Sequence, residues 1–293
     1  MFDKIYFSSG GFYALHNHLG AIRELHAEYN KPDSKLARKI TYYGVSAGTS
    51  ISILCYLVLE NIITIDKVFE IVNSMDSFNI VGLNITSLAV VIIDKLFENC
   101  PDDLHSRISN VIYMGVTTKN GYKQISQYAT NADVYNTMLC SCSIAGLFNY
   151  DSKIGGETCI DGVYSFKYEY IPEDTMIINL SVFSSPLSLT IPPLTLRPLL
   201  NQMGKQTVID YMNGKNPATN DDGDNVKKLR ARDILDVNGW LLVNQLTYKN
   251  PIWKSHIESK TKSKISDNVS TKSNVGLFDI VNYVHNSILN HSH

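Results

Sequence analysis

Apolar positions change period several times in the first sixty residues. Ile5-Tyr6-Phe7 is a short apolar run of the kind that forms a buried strand, and it ends in the small residues Ser8-Ser9-Gly10-Gly11. Leu19, Ile22, Leu25, His26 and Tyr29 then recur at helical spacing. Residues 31–39, with Pro32, are polar and read as a linker. The β-branched and aromatic Ile40-Thr41-Tyr42-Tyr43 predicts a second strand. From Thr49 to Glu60 there is neither Gly nor Pro, and the segment predicts an apolar helix. Parallel strands joined by a right-handed helical crossover bring the loops that follow them to the same sheet edge, where α/β proteins bind ligands. The Gly10-Gly11 loop and the turn after Tyr43 are therefore predicted neighbours.

Further along, Thr64 is a candidate cap for a helix with Val68, Phe69, Val72 and Met75 on its inner face. Asn84 is one for a helix with Leu88, Ala89, Ile92 and Leu96. Two strands, Ile108–Thr118 and Tyr122–Gln127, flank Lys119-Asn120-Gly121, where Asn-Gly favours a type I′ hairpin. A helix over Asn131–Ser143, burying Val134, Met138 and Leu139, leads into the apolar turn 144–148. The glycine loop at Gly155-Gly156 follows, then Cys159-Ile160-Asp161-Gly162, which by itself reads as a strand-end turn. Met176–Phe183 predicts a buried strand, and Pro186, Pro192 and Pro193 postpone the next helix to about Leu194, from where it runs to Met212. Residues 213–226 read as a mobile loop and 226–238 as a helix. Residues 255–274 are rich in Lys, Ser and Thr and read as a linker, and Val275–Leu289 recovers helical periodicity. This predicts a domain over 1–215 and an extension over 216–293.

Composition narrows the class. A chain of 293 residues with 44% apolar composition can bury a large core. The apolar runs Ile53–Leu59 and Leu88–Ile93 are far shorter than the roughly 18 residues of a membrane span. The N-terminus has no basic region followed by an apolar one, so the expectation is a cytoplasmic protein without a signal peptide. Residues 1–224 hold 16 Lys and Arg against 23 Asp and Glu, a net of −7, whereas 225–293 hold 10 against 5, a net of +5. A basic extension suits peripheral contact with anionic lipid. Its dispersed charges, without interleaved aromatics, argue against nucleic acid. The five cysteines, at 55, 100, 140, 142 and 159, sit in apolar stretches and read as free core thiols. Cys140-x-Cys142 has the wrong spacing for zinc, and neither a metal nor an organic cofactor is expected.

Candidate chemistry centres on Gly44-x-Ser46-x-Gly48, the spacing of a nucleophile elbow in which a strand turns sharply into a helix with serine at the apex. The glycine loop before the first helix presents unpaired N–H groups suited to a developing oxyanion. With Asp161-Gly162 downstream, this order of motifs resembles that of the patatin-like phospholipases, over about residues 3–185. Ser141-Cys142-Ser143-Ile144-Ala145-Gly146-Leu147-Phe148 looks like that family's small-residue turn before the aspartate. The elbow matches fully. Against the family's G-x-G-x-x-G, Ser9-Gly10-Gly11-Phe12-Tyr13-Ala14 keeps the middle glycine, has no Arg or Lys beside it, and carries Ser9 and Ala14 at the outer positions. Asp161-Gly162-Val163 keeps D-G and loses the third small residue.

The resemblance implies a three-layer αβα sandwich with a mainly parallel sheet, and a lipid acyl hydrolase acting on a carboxylic ester such as a phospholipid. It implies that Ser46 is the nucleophile and Asp161 its general base. Gly10, Gly11 and Phe12 would form the oxyanion loop, with Gly44, Gly48 and Gly162 supporting the motifs. Two alternatives stand beside it. One is a non-catalytic protein that binds lipid or a partner through the same pocket. The other is an α/β-hydrolase triad with His256, His285 or His291 as base.

Overall fold

The computed structural model describes residues 1–74, 85–144, 153–179, 192 and 194–216. The predicted extension from 217 onward, with its linker and helices, lies outside the described residues, as do Met75, Asn84, most of the turn 144–148, and 180–183 of the predicted strand.

The chain opens with β1 (Phe2–Phe7), α1 (Gly11–Tyr29), β2 (Leu36–Val45) and α2 (Ala47–Leu59). β1 and β2 are parallel, with Phe7 opposite Gly44, so the loop after one and the turn after the other leave the same edge. β2 begins at Leu36, inside the stretch predicted as linker. Leu36 is buried and paired with Phe2, and a register shift between Phe2 and Lys4 precedes the regular pairing that begins at Thr41. The partly or fully exposed Ala37, Arg38 and Lys39 between them broke the apolar signal. α2 is apolar on all sides because it is buried on all sides, including Ile51, Ile53, Leu54, Leu57 and Val58.

α3 (Ile65–Asn73) starts where Thr64 Oγ1 accepts the Lys67 N–H at 3.2 Å, and α4 (Ile85–Phe97) buries Ile92 and Leu96. The strand predicted from Ile108 starts only at Ile112. Leu104–Ile108 is a short helix, α5, and Asn110 at φ 61° separates it from β3 (Ile112–Thr118). The hairpin into β4 (Gly121–Ile125) is as predicted, but its turn is not type I′: positive φ falls on Gly121 (99°) and not on Asn120. α6 (Asn131–Ser141) is held at its start by a capping box between Thr130 and Asp133. Then come β5 (Lys153–Ile154), β6 (Glu157–Thr158), β7 (Ile160–Asp161), β8 (Met176–Ile178) and α7 (Arg197–Met212).

The result is an α/β fold with one mixed, mostly parallel sheet in the order β4-β3-β2-β1-β8, compatible with an αβα sandwich. β7 pairs with β3 at Val116 and Thr117, residues that also pair with β4 on the other side. β7 therefore takes up the edge of β3 that β2 vacates when it turns off after Val45, the partner of Gly115. Ile5, Phe7, Tyr42, Ile112, Met114, Met176 and Ile178 share one sheet face, and the buried side chains of the described helices join the core on it. The opposite face carries Tyr6, Tyr43 and Val45, packed by Tyr113, Tyr122, Val163, Phe166, Ile171 and Ile177. Among the described residues no helix is long and apolar enough to cross a membrane.

Candidate active site

Ser46 stands between the end of β2 and the start of α2 with φ 55° and ψ −125°, a backbone that β-carbon-bearing residues rarely adopt. Such strain costs on the order of 1–3 kcal/mol and persists only where the surroundings over-determine it. They do so here. The Ser46 N–H donates to Ser141 Oγ at 3.0 Å, and its carbonyl accepts the Thr49 N–H at 2.9 Å. Neither elbow glycine takes positive φ; each is required for the space its missing β-carbon leaves. A methyl group on Gly44 would strike the Gly48 carbonyl and lie 2.7 Å from Ser52 Oγ. On Gly48 it would strike the Phe7 carbonyl and lie 2.8 Å from that of Ser8. The start of α2 is thereby pressed against the end of β1, where the glycine loop begins.

In that loop Gly10 (φ 140°) and Gly11 (φ 57°) adopt conformations open to glycine. Gly10 caps α1 without a side-chain hydrogen bond, and among the described residues the N–H groups of Gly10, Gly11 and Phe12 have no protein acceptor. The turn is anchored just before them. The Ser8 N–H donates to the Ile178 carbonyl at 3.0 Å, and the Ser8 carbonyl accepts Nε2–H of His18 at 3.0 Å. Burial pushes the His18 imidazole down to about 4, so this ring is a neutral strut.

Asp161 reaches Ser46 through β3. Its partner Val116 follows Gly115, which lies beside Val45, and the Asp161 N–H donates to the Ser143 carbonyl at 2.8 Å. A β-carbon on Gly162 would lie 2.5 Å from the Gly115 carbonyl, so the D-G pair is seated against the strand. Asp161 is 1% exposed. Burial pushes its carboxyl up to about 7, opposed first by the Val163 N–H, which donates to Oδ1 at 3.0 Å, and then by the Ser46 hydroxyl. Oδ2 makes no hydrogen bond. The serine is thus close enough to favour the carboxylate while the hydrogen bond between them is not closed.

Ser141, at the end of α6, has a place that spacing alone did not disclose. Its hydroxyl donates to the Gly115 carbonyl at 2.7 Å and accepts from Ser46 N–H and, at 2.8 Å, from the Thr49 hydroxyl, which fills its bonding capacity. Through Ser141 and Ser143 one turn of chain touches both Ser46 and Asp161. Cys142 lies between them; its thiol is pushed well up by burial, then by the Asp161 charge, and stays protonated. The five cysteines are free. His256, His285 and His291 lie outside the described residues, and among those described no group of three His, Cys, Asp or Glu could hold a metal.

No protein-family model, curated protein or solved structure matches the chain.

Proposed function

We propose that the chain hydrolyses carboxylic esters of lipids with a serine–aspartate dyad, in the manner its motifs share with the patatin-like phospholipases. The observation that carries this reading is the meeting of a serine on a strained elbow with a buried carboxyl poised near neutral pH. A general base is most effective when its pKa lies near the working pH, and Asp161 is brought there by burial alone. Ser46 Oγ attacks the ester carbonyl carbon while its proton passes to Asp161 Oδ2. The N–H groups of Gly10, Gly11 and Phe12 take the charge on the carbonyl oxygen. Collapse breaks the bond to the alcohol, which leaves with the proton from Asp161 and an acyl group on Ser46. Water, deprotonated by Asp161, then attacks the acyl carbon; the bond to Ser46 Oγ breaks as Asp161 returns the proton to Oγ, releasing the acid and restoring the serine and the carboxylate. Within this reading the fold is a three-layer αβα sandwich.

Turnover of a chromogenic short-chain ester tests the proposal. Ser46→Ala should abolish it, and Asp161→Asn, which keeps the shape and removes the base, should lower kcat about a hundredfold or more, within the range general-base catalysis supplies. Replacing His256, His285 and His291 together by Gln should leave turnover intact. Its collapse in that variant would transfer the base to a histidine, and absence of turnover in the native chain across ester lengths would leave a binding protein.

A further inference from the structure

A cavity of about 460 Å³ opens beside α1, between α3 and α7. Its wall includes Arg23 from α1 and Arg197 and Lys205 from α7, with Phe69 from α3 and Asn201 between them. Along α1, at 1.5 Å per residue, its lining residues His16, Gly20 and Arg23 stand about 8, 14 and 18 Å from Gly11. Among the described residues three cationic side chains line it and no carboxylate does. This is unexpected in a region, residues 1–224, whose net charge is −7.

The cations are held in place. The Arg23 guanidinium lies 4.5 Å from the centroid of Phe69 and has no ion pair among the described residues. Arg197 is oriented in part by its Nε donating to the Pro192 carbonyl at 3.0 Å and its Nη1 to Asn73 Oδ1 at 3.4 Å. Lys205 reaches Glu24 at 3.6 Å, a long and partly exposed contact that leaves most of its donor capacity available. Asn201 donates to the Arg197 carbonyl at 2.8 Å and so ties the wall together beside the cations.

We infer that this cavity binds a phosphate-bearing small molecule. Guanidinium groups match phosphate oxygens in pairs, and three cations answer a dianionic phosphate better than a monoanionic carboxylate. The volume suits a metabolite-sized body or the headgroup of a lipid. The inference does not rest on ester hydrolysis, because none of these residues belongs to the elbow, the glycine loop or the Asp161 turn.

Calorimetric titration of the full chain with sn-glycerol 3-phosphate, inorganic phosphate and decanoate tests it, alongside sedimentation with phosphatidate-containing or pure phosphatidylcholine vesicles. Glycerol 3-phosphate should bind at least tenfold more tightly than decanoate and less tightly as salt rises. Arg23→Gln with Lys205→Gln should weaken it at least tenfold. Gln202→Glu, which adds a negative charge to the wall and removes no cation, should do the same, with the unfolding midpoint of each variant confirming the fold. Ser46→Ala should leave binding unchanged. Sedimentation confined to phosphatidate vesicles and lost in the same variants would mean the phosphate is read on a lipid. Binding of neither phosphate source, equal binding of decanoate, or affinity indifferent to these substitutions would overturn the inference.

Discussion

Asp161 joins two properties through one cause, because the burial that tunes a carboxyl toward neutral pH also destabilises its charged form in the fold. Its folded pKa, about 7, lies above the ordinary 3.8. Between those values the folded chain holds a proton that the unfolded chain has released. The associated stability is fully present below about pH 3.8 and is lost as pH rises through 7. Asp161→Asn should remove that slope, a change on the order of a few kcal/mol at pH 8, read from urea midpoints across pH. If the proposed chemistry holds, kcat/KM should rise through about pH 7 as the base ionises, and the rise should survive replacement of the three C-terminal histidines. Ser141 makes a second residue-scale case. Ser141→Ala strands the buried Ser46 N–H and the Thr49 hydroxyl, which should cost about 1–3 kcal/mol in thermal or chemical unfolding. With the elbow loosened, kcat should fall about tenfold with KM little changed, and Ser141→Thr, which keeps the hydroxyl, should recover most of it.

Among the elements, α1 is the most constrained: its N-terminus presents the open N–H groups, His18 braces the preceding turn, and its flank packs against α7. That packing is closer than side chains permit. A β-carbon on Gly20 would strike the Asn201 carbonyl, and one on Gly204 would strike that of Asn17, so the two helices meet backbone to backbone at reciprocal glycines. Asn17 Nδ2 also donates across the contact to the Leu200 carbonyl at 3.4 Å. Gly204→Ala should therefore destabilise by about 1–3 kcal/mol despite its better helix propensity. Gln206→Ala on the exposed side of α7 should change the urea midpoint little. Helical spacing correctly marked Leu19, Ile22 and Leu25 as inward, and all three are buried. It could not mark Gly20 as a contact, because a glycine in a helical pattern gives no sign of which backbone approaches it.

For the whole molecule, charge divides the chain into an acidic domain and a basic extension, and the proposed chemistry lies entirely in the former. A chain ending at Lys254 should hydrolyse a soluble ester at the rate of the full chain while losing affinity for anionic vesicles, at about 1 kcal/mol per basic residue removed from the lipid surface. Loss of soluble-ester turnover with the fold intact would place a residue beyond 254 in the site.

Local chemistry sufficed for the first βαβα unit: the apolar runs, the glycine loop and the Gly-x-Ser-x-Gly spacing together imply two parallel strands whose following loops share an edge, since the right-handed crossover admits little else. The D-G turn was legible as a turn, and its suggested role came from the order of motifs. Contacts distant in sequence decided the rest. Asp161 meets Ser46 because β7 occupies the length of β3 that β2 leaves free, a pairing between residues about 45 apart in the chain that two-residue β7 cannot announce by periodicity. Ser141 is one small polar residue among several until three partners converge on it. The cationic cavity likewise gathers Arg23 with Arg197 and Lys205, which are far apart in the chain and become neighbours only because Gly20 and Gly204 let α1 and α7 close upon each other.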